Sequence, residues 1–469
     1  MKKQKYLDFV QSILSSDEDF LLFKELYQKR LPKSVKFINS RVSVDDIKSF
    51  LHSKWWQFFL PEFLSFSNVS FNDVECVENA DVKSLGSHCF HNAWLFYIQE
   101  ISAGLSAQVL DVKKWDLVLD LCSAPWWKTV QLADKLLTLG WWHVFANELS
   151  FARRKALVFN LNRCWLYNTS ILWYDWVSVW DLAPEMFDKV LVDAPCSWEW
   201  MQYKYDKDVV YWDQQAAEKL AKLQKELLIS WLKSLKVWWE LVYSTCTLNP
   251  YENEWVLSAV LWEYSDSVEL INVDVPWKSF WLEDYIDESK ASLVARFWPH
   301  IQKTWWFFIA KLKKLKSLLV DKKEDARFFK KSEYDSSGAL QDAVRNFLEG
   351  EWGVPKTSEY QFFASKEFIF VKDSKVIDNK WLFVEKQGIP IIKLWFKWDY
   401  IPQQWIVTVF WNSMNRNVIE LGYDDLQKIS EWSDIPWDYW FEWKFVAVRR
   451  NSVWLFLAKQ VKNSLKLKI

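Results

Sequence analysis

Short apolar runs alternate with longer amphipathic stretches through the middle of this 469-residue chain. The runs are DLVLDLC (116–122), HVFANE (143–148), KVLVDAP (189–195), ELVYSTC (240–246) and WFFIAKL (306–312). Between them lie KTVQLADKLL (128–137), SFARRKALVFNLNRC (150–164) and DQQAAEKLAKLQKELLISWLKSL (213–235), whose apolar residues recur at helical spacing. Strand–helix alternation of this kind predicts an α/β fold, a doubly wound, mainly parallel sheet. Before it, residues 1–110 mix helical and short strand patterns. DEDFLLFKELYQKRL (17–31) is amphipathic, and 84–112 reads as a turn followed by a helix. After it, 316–355 is lysine-rich and weakly patterned, a connector with some helix. The β-rich runs EFIFV, KWLFVEK, WIVTVF, FVAVRR and WLFLAK then predict a small, mostly β domain over 356–469. The sheet domain is bounded at 111–315.

Charge and cysteine content narrow the class. The formal net charge is -2, so the chain as a whole is no polycation. The segment 443–469 nevertheless carries seven basic residues and no acidic one: Lys444, Arg449, Arg450, Lys459, Lys462, Lys466 and Lys468. Such a face is either ordinary solvated surface or a phosphate contact. Six scattered cysteines without a C-x-x-C pair argue against a zinc site or a disulfide framework and fit a reducing cytoplasm. No run approaches the length of a membrane span, and MKKQKYLDFVQSIL is too interrupted by Asp8 and Gln11 to be a signal peptide.

One ratio is inverted. The chain has 8 glycines and 36 tryptophans, where glycine ordinarily supplies about 7% of residues. Trp-Trp occurs at 55–56, 126–127, 141–142, 238–239 and 305–306, mostly where one pattern stops and another starts. Gly-Gly has a mechanism at such places, because glycine tolerates positive φ; Trp-Trp has none. Most of these tryptophans therefore read as glycines, with UGA as the codon that the source reads as glycine. The contrast is sharpest in LDLCSAPWWKTVQLADKL (119–136). There a strand meets a helix, and a cofactor's approach demands the smallest residues.

In an open parallel sheet, ligands bind beyond the carboxyl ends of the strands. Four such ends carry chemistry here: LDLCSAPWWK (119–128), HVFANE ending in Glu148, KVLVDAPCSWEWM with Asp193 and Cys196, and ELVYSTCTLNPYENE with Cys246. An acid about 20 residues beyond the first turn is placed to accept ribose hydroxyls. A strand-end acid alone is more often a cap, and a lone cysteine is more often a small buried hydrophobe. Two of each along one sheet edge are harder to dismiss.

With glycine at the suspect positions the motifs become LDLCSAPGGKT, DAPCSGEGM and GGELVYSTCT. These resemble the signature motifs of the Nop/Sun family of RNA (cytosine-5) methyltransferases, over roughly 30–313. The C-terminal part more weakly resembles the PUA-like domain of the 16S rRNA methyltransferase F branch, and no NusB-like domain is read, which argues against the B branch. The resemblance implies a Rossmann-like class I methyltransferase domain using S-adenosylmethionine. The cofactor would lie against Cys122, Ser123, Ala124, Pro125, Trp126, Trp127 and Lys128. Glu148 would take the ribose hydroxyls, Asp175 the adenine edge, and Asp193 would lie between cofactor and base.

The resemblance further implies Cys246 as nucleophile, Cys196 as the residue assisting release, Asp193 on the cytosine N3/N4 edge, and Lys128 near the base or cofactor. Covalent addition makes chemical sense, since a thiolate at C6 converts an unreactive ring into an enamine nucleophilic at C5. Cys122 reads as a pocket wall, and Cys76, Cys89 and Cys164 as structural. The implied partner is RNA, small-subunit ribosomal RNA or the 30S particle, gripped by the N-terminal region and the basic C-terminal domain. Transfer RNA is the alternative substrate. A non-catalytic RNA-binding remnant is the alternative if the cofactor-turn tryptophans are real. A cytoplasmic monomer away from membranes is expected.

Overall fold

A computed structural model describes all residues except 1, 15, 27–32, 42, 55, 61–73, 79–84, 125–126, 141, 176, 178, 198–212, 276–277, 280–287, 320–334, 356–358, 374–383, 396–398, 411–412, 437–444, 451–452, 462–463 and 468–469. The N-terminal region builds an antiparallel sheet from β1 (Ser34–Phe37), β2 (Gln57–Phe59), β3 (Val74–Glu78) and β4 (Phe96–Gln99), in the order β2-β3-β1-β4. β4 corrects the expectation of a turn and helix over 84–112. A short helix, Cys89–Asn92, comes first, then the strand, then the helix Ile101–Val109. Pairing with β1 overrides the local helical pattern, since strand formation answers to cross-strand packing.

The central sheet contains β5 (Leu117–Asp120), β6 (His143–Asn147), β7 (Thr169–Leu172), β8 (Phe187–Asp193), β9 (Leu235–Thr245), β10 (Val268–Ile271) and, beyond the short β11 (Ala295–Phe297), β12 (Phe307–Lys314). Their order is β10-β12-β9-β8-β5-β6-β7. The ladders from β9 to β7 are parallel, and β12 runs antiparallel to both neighbours. The helices Ile101–Val109, Trp127–Thr138 and Phe151–Arg163 supply apolar side chains to one face. Gln214–Ser234 and Val256–Glu263 supply the other. Coverage on both faces explains why the strands read as continuous apolar runs rather than alternating ones. The chain leaves β5 toward β6 and β7, then returns to β8 and β9 on the other side. The switch in direction therefore falls at the carboxyl end of β5, where such sheets bind ligands.

Beyond the sheet, one expected small β domain is two sheets. The first joins β13 (Tyr360–Ser365), β14 (Phe368–Asp373), β16 (Ile389–Trp395) and β17 (Asp399–Pro402); the intervening β15 (Lys386–Gln387) pairs instead with the edge strand β7. The second joins β18 (Val418–Glu420), β19 (Ile435–Pro436), β20 (Phe445–Arg450), β21 (Val453–Val461) and β22 (Ser464–Leu467) in the order β18-β20-β21-β22-β19. It shares a core with the N-terminal sheet, where Val35, Phe37 and Leu51 meet Ile419, Leu426 and Val446. The connector carries a 15-residue helix, Gly338–Trp352, whose Leu340, Val344, Leu348 and Trp352 pack with Phe362 and Ile369 of the first sheet. WIVTVF, expected as a strand, contains the helix Trp405–Val409 instead. Among the described residues, no helix is long and apolar enough to cross a membrane. Of the basic tail, Lys466 pairs with Asp434 at 2.7 Å and Arg449 lies 3.9 Å from Glu420; Lys444, Lys462 and Lys468 lie outside the described residues.

The backbone bears on the tryptophan question. Among the described residues, ten non-glycine residues have positive φ, and five are tryptophans: Trp94 (58°), Trp115 (77°), Trp165 (68°), Trp238 (75°) and Trp432 (66°). L-residues enter this region at a cost of about 1–2 kcal/mol, and glycine does so freely. The conformation at these five positions supports glycine there.

Candidate active site

Register assembles the site. β8 and β9 are parallel with Asp193 opposite Ser244, so Cys196, three residues beyond the first, and Cys246, two beyond the second, leave the sheet side by side. Their sulfurs are 3.1 Å apart. Cys246 is half-buried; Cys89, Cys122, Cys164 and Cys196, the other free cysteines among the described residues, are buried. Asp193 Oδ1 accepts a hydrogen bond from the Ser244 hydroxyl at 3.1 Å and forms an ion pair with Lys128. Lys128 comes from the first turn of the helix after β5, and its Nζ also lies 5.0 Å from the centroid of the Phe307 ring on β12. One acid, one cation and two thiols from three strand ends thus meet at one edge.

Beside them lies the turn after β5. The Ser123 hydroxyl donates to Asn147 O at 2.7 Å, and Arg153 Nη2 donates to Ala124 O at 2.6 Å. Thr129 donates to Asp120 Oδ2 at 2.6 Å. Burial pushes the Asp120 carboxyl up to about 7. Burial, reinforced by Asp120, Asp193 and Glu148, also holds the Cys122 thiol well above its usual range. A thiol so disfavoured as thiolate is a poor nucleophile, which suits Cys122 to a pocket wall. Trp127 is half-buried, with its ring 5.1 Å from that of Tyr97. Pro125, Trp126, Trp198 and Trp200 lie outside the described residues.

Glu148, just past β6, is fully buried. Its Oε1 accepts from Ser150 N at 2.8 Å, while Oε2 has no hydrogen-bond partner and lies 3.4 Å from Arg153 Nε. A buried carboxylate oxygen without a donor is costly unless something supplies one. Ribose hydroxyls are donors of the right kind, so this residue fits the cofactor read from the sequence. Asp175 is exposed, and its Oδ1 accepts from Val177 N at 2.9 Å, an ordinary turn aspartate. The loop before it is tied to β6 by two hydrogen bonds between Asn147 and Tyr174, at 2.8 and 3.0 Å. Sequence reasoning missed Asp120, Arg153 and Ser244. All three stood inside quoted segments, but their roles rest on contacts that only the fold creates.

A doubly wound sheet of this order, with an acid past its second strand and its ligand edge at the β5 switch, defines a class I methyltransferase domain. Residues 107–313 match the family model of the 16S rRNA methyltransferase RsmB/F. The ribosomal RNA small subunit methyltransferase F of Erwinia tasmaniensis is 32% identical over 321 residues, spanning 67% of this chain and 63% of that protein. The protein of the same description from Vibrio campbellii is 28% identical over 480 residues, spanning 99% and 95%. The chain thus spans less than two thirds of the first relative and nearly all of the second. Among solved structures, a methyltransferase homolog protein from Pyrococcus horikoshii matches with a TM-score of 0.55 at 28% identity, over 64% of this chain and 91% of that one.

Proposed function

We propose that this chain methylates C5 of a cytosine in small-subunit ribosomal RNA through a covalent cysteine adduct. The observation that carries the reading is the 3.1 Å approach of Cys196 and Cys246 beside the Lys128–Asp193 pair. One thiol beside a methyl donor would serve many acceptors; two thiols in contact suit a reaction that must both form and dissolve an adduct. Cys246, the more accessible, adds as thiolate to C6, forming an S–C6 bond and moving ring electrons toward C5. Asp193 hydrogen-bonds the N3/N4 edge and favours the protonated ring of the adduct. Bound S-adenosylmethionine supplies an electrophilic methyl group. Glu148 is the residue for its ribose, and the turn 122–128, with glycine at 126 and 127, is the backbone against which it lies. Loss of the C5 proton then drives elimination of Cys246, assisted by Cys196. The target atom is unreachable in a stacked helix, so the cytosine is flipped or unpaired.

The test supplies labelled S-adenosylmethionine with 30S particles, free 16S rRNA and transfer RNA, and maps the product base, using protein with glycine at 126, 127, 198 and 200. The expected product is 5-methylcytosine in the small-subunit RNA. Cys246→Ala abolishes it, while Cys196→Ala leaves enzyme bound covalently to RNA. Methyl on an exocyclic nitrogen, or full activity in Cys246→Ala, refutes the mechanism; methylation confined to transfer RNA refutes the substrate.

A further inference from the structure

The segment after Cys246 continues as YENEW, and Tyr251–Trp255 forms a single π-helical turn. Such turns are rare and recur at functional sites. Its three central residues are fully buried, although all are polar. Each holds a different part of the cysteine loops. Asn253 brackets Cys246, accepting from the Thr245 hydroxyl and donating to Thr247 O at 3.0 Å. Glu254 pairs with the buried Arg296, which donates to Leu248 O at 2.8 Å.

Glu252 reaches across to the other cysteine. Its Oε2 accepts from Ser197 N at 2.9 Å and from Gln224 Nε2 at 3.0 Å; its Oε1 accepts from the Ser197 hydroxyl at 2.6 Å. Gln224 Nε2 also donates to Pro195 O at 2.8 Å, and the Ser197 hydroxyl lies 3.1 Å from Thr247 Oγ1. Both neighbours of Cys196 are therefore held by side chains from outside its own loop. Tyr243 in turn donates to Glu252 O at 2.6 Å, anchoring the turn to β9.

We propose that Glu252 is a positioning residue for the cysteine pair: with Gln224 it fixes the Cys196 loop against the Cys246 loop. Glu252 does not itself touch the thiols in this role. It removes the freedom of the Cys196 loop, so that one cytosine meets the adding thiol and the releasing thiol without rearrangement. The inference rests on the cytosine-5 reading for its catalytic meaning, but its geometry is testable without RNA or cofactor.

The experiment measures how fast diamide joins the two thiols in the full chain. Two thiols lose two hydrogens to the N=N bond, which becomes a hydrazine, and the proteins gain one S–S bond. The parent should form the Cys196–Cys246 disulfide quickly, seen by peptide mass as a loss of two hydrogens. Glu252→Gln keeps the shape but turns one acceptor into a donor facing the donors of Ser197 and Gln224. It should slow cross-linking by about tenfold or more, the loss of one to two net hydrogen bonds. The exchange Gln224→Glu with Glu252→Gln restores an acceptor–donor pair and should recover part of the rate. If Glu252→Gln fails to fold, Ser197→Ala removes a single hydroxyl from the same network and is read in the same way.

With labelled RNA, the slowed variant should also accumulate a denaturant-stable enzyme–RNA complex. A cross-linking rate within twofold of the parent, in a variant of unchanged circular dichroism, overturns the positioning role. Absence of 5-methylcytosine from the parent's products overturns the cytosine-5 reading alone and leaves the cross-linking result standing.

Discussion

Glycine and alanine should reverse their usual ranking at Trp115 and Trp238. Both tryptophans serve the central sheet, one just before β5 and one inside β9, with φ of 77° and 75° and exposures of 52% and 67%. Little packing is lost by truncation: Trp115 meets Trp142 at 5.6 Å between rings and Lys114 at 5.1 Å, and Trp238 has Lys313 at 5.9 Å. Alanine removes those contacts but keeps the left-handed penalty of about 1–2 kcal/mol at each site. Glycine removes both, at the expense of about 0.5–1 kcal/mol of unfolded-chain freedom per site. The double glycine variant should therefore exceed the double alanine variant by about 1–2 kcal/mol. Trp262 is the control. It is 85% exposed within the helix Val256–Glu263 and absent from the positive-φ residues, so there glycine should be worse than alanine by about 1 kcal/mol. Urea midpoints at constant slope read all four variants. Equal midpoints for glycine and alanine at 115 and 238, with the expected loss at 262, would refute the claim that these positions are built for glycine.

Three other perturbations address the site and its support. Glu148→Gln keeps the shape of a buried acid but removes its charge; charged hydrogen bonds are worth about 1.5–3 kcal/mol, so calorimetry with S-adenosylmethionine should show binding weakened about tenfold to a hundredfold. An unchanged affinity sinks the ribose assignment. Asp120, raised by burial to about 7, holds its proton more tightly folded than unfolded. Its contribution to stability is therefore present at low pH and is lost as pH rises from the ordinary carboxylate range through about 7. Subtracting the unfolding free energy of Asp120→Asn from that of the parent across pH 4–8 should give a falling difference; a flat or rising one contradicts the assignment. The side chains of Lys36 and Asp134 are 2% and 1% exposed and pair at 3.0 Å, joining β1 to the helix Trp127–Thr138. Lys36→Met removes the acid's cation, although Asn39 N, Ser40 N and the Ser40 hydroxyl still donate to it at 3.1, 2.9 and 2.6 Å, and should cost about 3–5 kcal/mol in urea unfolding. A loss under about 1 kcal/mol would mean that those donors alone satisfy Asp134.

The reach of the sequence follows from how a parallel sheet is made. β5, β6, β8, β9 and β12 announced themselves because burial on both faces demands unbroken apolar runs. β7, only TSIL, is too short and too polar to do so, and it was found only by its pairing with β6. WIVTVF misled because its β-branched residues favour strands locally. In the fold, Ile406, Val407 and Val409 are buried in the core of the first C-terminal sheet. Gln404 at the helix start accepts from Leu457 N of β21 at 2.6 Å, so tertiary packing decides against the local preference.

The site divides along the same line. Glu148, Asp193, Cys196 and Cys246 were legible because every parallel strand delivers its carboxyl end to one edge, so residues just past strands converge whatever their separation in sequence. The residues that hold them obey no such rule. Ser244 reaches across to Asp193 on the neighbouring strand, Arg153 returns from the following helix, and Gln224 and Glu252 approach the Cys196 loop from 28 and 56 positions beyond Cys196. Glu252, Asn253 and Glu254, buried at 0% exposure shortly after Cys246, are expensive to keep. Their cost is offset only if the hydrogen bonds they make do something that apolar packing cannot, which here is to fix the distance between two thiols.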